Sequence, residues 1–136
     1  MLALKGINLK VSYDRKERKD HGEGGLIMGY VPQSGDKIAI VEDVTTAGTS
    51  VKQVIALLEE LKIEAEVTSL FMSLDRMEKG TEGITAMQQI KRDFGIEVNP
   101  IVSANDIIDY LEDSNNSENK THAANIREYL EQYGVR

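Results

Sequence analysis

Apolar and polar positions along this chain alternate with a period of two in some stretches and of three to four in others. Ile7, Leu9, Val11 and Tyr13 alternate with Asn8, Lys10, Ser12 and Asp14, which predicts a strand with one wetter face. From Asp14 to Tyr30 neither period holds, and four glycines stand among charges of both signs. That stretch predicts a solvated loop over 15–29, either a lid over a ligand or the charged tip of a hairpin. After the turn at Pro32 to Asp36, Ile38 to Val41 is a short β-branched run, the pattern of a strand buried on both faces of a parallel sheet. Val51, Val54, Ile55, Leu58 and Leu61 then follow at helical spacing, widened by Leu57.

The alternation continues to the carboxyl end. Glu66 to Leu74 predicts a strand centred on Val67, Leu70, Phe71 and Met72, and Ile84, Met87, Ile90 and Phe94 mark a helix closed by Gly95. Val98 to Val102 predicts a further strand, and Pro100 within it favours an edge position. Ser103-Ala104-Asn105-Asp106 reads as a capping box, opening a helix with Ile107, Ile108 and Leu111 inward. Ser114 to Thr121 reads as a loop, and a final helix spans Ala123 to Tyr133 with Ile126, Tyr129, Leu130 and Tyr133 on one side. Strands alternating with helices predict an α/β fold with a mostly parallel sheet of about four strands flanked by helices. Met1 to Lys5 looks like the last turn of a helix ahead of Gly6, so the chain is expected to begin mid-domain.

Composition narrows the chemistry. The 136 residues fit one domain over 1–136, with 40% hydrophobic and 29% charged residues and no apolar run that approaches the roughly 20 residues of a membrane span. A formal net charge of −7 argues against general nucleic-acid binding, and the absence of cysteine removes thiolate metal sites and fits a reducing, cytoplasmic setting. His21 and His122 are the only histidines, so neither a zinc cluster nor a serine–histidine hydrolase is expected. No phosphate loop ending in Gly-Lys-Ser/Thr and no Gly-x-Gly-x-x-Gly follows a strand.

What remains is the stretch that follows the strand at Ile38. Glu42 and Asp43 place two carboxylates at the carboxyl edge of the sheet, where open α/β folds keep their ligands. Val44, Thr45, Thr46, Ala47, Gly48, Thr49 and Ser50 then form a hydroxyl-bearing loop around one glycine, leading into the N–H groups of a helix start. Carboxylates for a diol beside a cradle for a phosphate suggest a sugar phosphate as ligand. Arg15, Lys16, Lys19 and His21 in the preceding loop could neutralise its charge. Asp75-Arg76-Met77-Glu78-Lys79-Gly80 lies on the same edge if the strands are parallel, where Arg76 would either meet the ligand or stand as a surface residue.

Val41 to Ser50 resembles the phosphoribosyl-diphosphate-binding motif of the type I phosphoribosyltransferases. Tyr13 to Gly25 looks like the flexible catalytic loop of the orotate phosphoribosyltransferases, and Ser73 to Gly80 resembles their orotate-contacting segment. The resemblance covers essentially the whole chain, with the family's amino-terminal third absent. It implies transfer of ribose 5-phosphate from phosphoribosyl diphosphate to orotate, with Mg2+ carried by the substrate and no direct protein ligand to the metal. Thr45 to Ser50 would hold the 5-phosphate, and Glu42 and Asp43 the ribose hydroxyls. Lys19, with Arg15, Lys16 and His21, would close over the diphosphate, and Arg76 and Thr46 would face orotate. It also implies a homodimer whose lid is shared between subunits, and a missing strand that leaves a sheet edge open. A binding module without catalysis, or an inactive fragment, is the alternative; the module would have little use for Lys19, His21 or Arg76.

Overall fold

A computed structural model describes residues 5–14, 26–44, 48–80 and 82–135. Its centre is a three-stranded parallel sheet in the order β3 (Lys37–Glu42), β4 (Glu66–Asp75), β5 (Glu97–Ser103). The expected α/β fold is present, with three parallel strands where about four were expected. Helix α1 (Thr49–Glu60) joins β3 to β4, and α2 (Ala86–Phe94) joins β4 to β5. Both crossovers step in the same direction across the sheet, and right-handed connections then put both helices on one face. Val51 of α1 and Ile90 of α2, each fully buried, accordingly meet Ile40, Leu70 and Ile96 in one core cluster.

Among the described residues the opposite face is uncovered, which corrects the expectation that the Ile38–Val41 strand is buried on both sides. Ile38 and Ile40 face the helices, whereas Val41 is 79% exposed. Val41 pairs with Phe71, itself 44% exposed, and Ile101 on β5 is 76% exposed. The sequence pattern of a doubly covered strand is real, but no described element lies over this side of Val41, Phe71 and Ile101. Pro100 does sit on a strand paired on one side only among the described residues, as its missing N–H requires.

Local signals set the helix boundaries. Thr85 and Ser103 both form full capping boxes, Thr85 with Gln88 and Ser103 with Asp106, so α2 begins at Ala86, after Ile84, and α3 (Ala104–Glu112) begins directly at the end of β5. The last helix, α4 (Ser117–Tyr133), starts six residues ahead of the expected Ala123, because the Asn116 side chain accepts from the Glu118 N–H and caps a polar first turn. α3 and α4 pack on each other, with Ile108 and Ala123 buried and a bidentate Arg127–Glu112 pair joining them with both contacts at 2.8 Å.

The amino-terminal part departs most from the sequence pattern. Only Ser12–Asp14 forms a strand, β1, and it pairs antiparallel with β2 (Ile27–Gly29), which falls inside the stretch expected to be loop. The last pair in this register is Asp14↔Ile27. Gly29 permits the pairing: at φ 84 an added Cβ would stand 2.4 Å from the Val11 carbonyl oxygen. Ile7, Leu9, Val11 and Tyr13 are all exposed and do not form the half-buried face their alternation predicts. The hairpin is tied to the sheet by Tyr30, whose hydroxyl donates to Asp36 at 2.7 Å while Lys10 Nζ lies 4.0 Å from its ring centre. The helical turn expected over Met1 to Lys5 lies outside the described residues apart from Lys5.

Candidate functional site

Parallel strands bring the ends of β3, β4 and β5 to one edge, and the polar residues of interest gather there. Glu42 ends β3 on the Ile38–Ile40 face and is half-buried; Asp43 and Val44 follow, both exposed. The Asp43 carbonyl accepts from the Ser73 and Leu74 N–H groups at 3.0 and 3.3 Å, so the acid pair is fastened to the end of β4. The Asp43 carboxylate also accepts from its neighbour, the Val44 N–H, at 2.6 Å. Thr45, Thr46 and Ala47 lie outside the described residues.

The chain resumes at Gly48, the N-cap of α1. Its φ of 63 and ψ of 26 lie in the left-handed region, and no side chain caps the helix there. Gly48 is buried against α2, with an added Cβ placed 2.6 Å from Ile90 Cγ1. Thr49 is exposed, and Ser50 Oγ is buried without a hydrogen-bond partner among the described residues. Among the described residues no side chain caps this helix start, and the first N–H groups of a helix attract anions in general. Glu42, Asp43, Gly48 and Ser50 thus stand together where β3 ends and α1 begins.

The segment after β4 reaches the same edge. Met77 N–H donates to Asp75 Oδ1 at 2.9 Å, and Met77 adopts φ 55, which turns the chain after Arg76. Arg76 is exposed, ion-paired with Glu78 through Nη2, and within 3.4 Å of the Tyr129 hydroxyl on α4. Tyr129 in turn donates to Glu78 Oε1 at 2.5 Å, and the Glu78 carboxylate holds its phenol above the ordinary range. These partners change the picture of α4: Tyr129 and Tyr133 are exposed beside the Arg76 segment, their ring centres 4.8 Å apart and their planes tilted by 39°, not turned into the core. The sequence pattern missed Tyr129 because its partners lie 51 and 53 residues away, and only its position among apolar residues was visible.

Arg15, Lys16, Lys19 and His21 lie outside the described residues. His122 is on the surface of α4, 3.8 Å from Glu118 and remote from the motifs in sequence. A hollow lined by Ile55, Leu58, Glu59, Ile63, Val67, Phe94 and Ile96 lies beside α1. Val67 pairs with Ile38 at the start of β3, so the hollow is at the opposite end of the strands from Glu42. No helix among the described residues is long and apolar enough to cross a membrane.

No protein-family model matches the chain. The orotate phosphoribosyltransferase of Neisseria meningitidis is 44% identical over 135 residues, a span of 99% of this chain and 61% of the relative. That of Marinobacter nauticus is 40% identical over 134 residues, covering 98% and 60%. The crystal structure of orotate phosphoribosyltransferase from Francisella tularensis superposes with a TM-score of 0.77 at 29% identity, covering 98% of this chain and 60% of that one. The chain spans about 60% of the length of the curated relatives it matches.

Proposed function

We propose, from homology with the orotate phosphoribosyltransferases over nearly the whole of this chain, that it carries the phosphoribosyl-transfer site of such an enzyme. The single observation that supports this most is the gathering of Glu42, Asp43, Gly48 and Arg76, from two strands and a helix start, at one edge of a parallel sheet. In the reaction, the bond from the ribose anomeric carbon to diphosphate breaks and a bond from that carbon to a ring nitrogen of orotate forms. The loop from Thr45 to Ser50 holds the 5-phosphate on backbone N–H groups and hydroxyls, with Val44 and Ala47 giving it backbone only. Glu42 and Asp43 accept hydrogen bonds from the ribose diol and lie close to the sugar as it gains positive charge. Lys19, supported by Arg15, Lys16 and His21, meets the charge that builds on the departing diphosphate, and closure of the hairpin tip excludes water from the activated sugar. Arg76 and Thr46 face orotate, whose carboxylate suits a planar guanidinium.

Magnesium is taken as carried by the diphosphate of the substrate, with no direct protein ligand; an ion of this kind binds substrate phosphates and keeps several waters. When bound it would neutralise part of the diphosphate charge. The same reading takes the working unit as a homodimer in the cytoplasm, with the hairpin tip of one copy reaching the other's site. The exposed apolar residues at the base of that hairpin support such a pairing.

The test mixes the protein with orotate, phosphoribosyl diphosphate and magnesium and follows the loss of orotate absorbance. Turnover is expected, and Lys19→Ala is expected to lower it by about 100- to 1,000-fold, the usual cost of removing one group that stabilises developing negative charge. Tight binding of phosphoribosyl diphosphate with no turnover would replace this reading with a binding module.

A further inference from the structure

Arg76 does not stand alone at the sheet edge; the last helix holds it. The backbone after β4 forms a short antiparallel bridge with the end of α4: Lys79 N–H donates to the Tyr133 carbonyl at 2.8 Å, and Val135 N–H donates to the Met77 carbonyl at 3.2 Å. Side chains repeat the connection. Glu78 pairs with Arg76 Nη2, and Tyr129 bridges the two, donating to Glu78 and accepting from Arg76. The Tyr129 ring is braced by Tyr133.

An exposed ion pair of this kind adds little to stability, so its presence calls for another consequence. A free arginine side chain samples many rotamers, and each must be given up when it binds a planar ligand; a guanidinium already held by one nitrogen loses less. The described partners use Nη2, while a guanidinium carries five N–H donors in a fixed fork. The remaining donors keep the geometry for a carboxylate or a ring carbonyl. We propose that Glu78 and Tyr129 are positioning residues that set the orientation of Arg76 for orotate, so that α4 takes part in substrate selection. This rests on the reading of Arg76 as an orotate contact.

The experiment uses the full chain with Tyr129→Phe, Glu78→Gln and Arg76→Ala, each checked for folding by circular dichroism. Without ligand, 15N relaxation of the Arg76 Nε–H group reads side-chain order, and calorimetry reads affinity for orotate and, separately, for phosphoribosyl diphosphate. Tyr129→Phe is expected to reduce Arg76 order and weaken orotate binding about three- to tenfold, the scale of one hydrogen bond, with phosphoribosyl diphosphate affinity unchanged. Adding Tyr129→Phe to Arg76→Ala is expected to change nothing further. Arg76 order unaltered in both Tyr129→Phe and Glu78→Gln would overturn the proposal, as would reduced order with orotate affinity intact. Orotate binding that survives Arg76→Ala at full strength would instead overturn the assignment of Arg76 to orotate, and the proposal with it, while the order measurement still reported whether Tyr129 holds the side chain.

Discussion

Leu70→Ala is expected to destabilise the protein by about 2–5 kcal/mol, a large part of the roughly 5–15 kcal/mol available to a domain of ordinary stability. Leu70 is fully buried at the middle of β4, the only strand of the parallel sheet with a partner on both sides among the described residues. It stands in register with Ile40 on β3 and Val98 on β5 and packs with Val51 of α1 and Ile90 of α2. Removing its three outer carbons opens a cavity where both crossover helices meet the sheet. Neighbours on two strands and two helices cannot all move in to fill it. Urea titration should show a lower midpoint with an unchanged slope, since the surface exposed on unfolding hardly alters. A loss below about 1 kcal/mol would mean that the single-faced core repacks freely, contrary to what close packing requires.

Gly48→Ala joins stability to the site. A side chain at φ 63 costs roughly 1–2 kcal/mol, and forcing a methyl group to within 2.6 Å of Ile90 Cγ1 adds about 1–3 kcal/mol more. Ile90 is fully buried in α2 and cannot swing aside without disturbing the core. The cheaper adjustment moves the start of α1, and with it the N–H groups proposed to hold the 5-phosphate. The expected result is a lowered urea midpoint together with a loss of phosphoribosyl diphosphate affinity that exceeds the fraction unfolded. Full affinity in the folded fraction would show that the anion loop does not depend on the position of α1.

The parts of this fold that were legible in the sequence are those set by near neighbours. Ile38 to Val41, the helical spacing from Val51 to Leu58, the stop at Gly95 and the box from Ser103 to Asp106 each carry their signal within a few residues. The acid pair after β3 could be placed at the carboxyl edge because parallel strands leave it nowhere else. The rest depends on distant partners. Ile27–Gly29 is three residues long and is a strand only because Ser12–Asp14 comes alongside it. Val41 has the composition of a covered position, but cover comes from another layer, which no property of Val41 reports. Tyr129 has the spacing of a core residue and instead meets Arg76, a contact across 53 positions that no local pattern encodes. Asn116 was legible as a cap in principle; the polar run behind it hid the helix it begins.

The bare face of the sheet bears on how the protein responds to heat. Unfolding raises the heat capacity in proportion to the apolar surface newly given to water, about 12–15 cal/mol/K per residue in an ordinary domain. Val41, Phe71 and Ile101 already meet water in the folded state, so much of their surface contributes nothing to that rise. The heat-capacity rise is therefore somewhat smaller than chain length alone implies, and the stability curve correspondingly a little flatter. Whatever settles on that face would sharpen the transition as well as raise it.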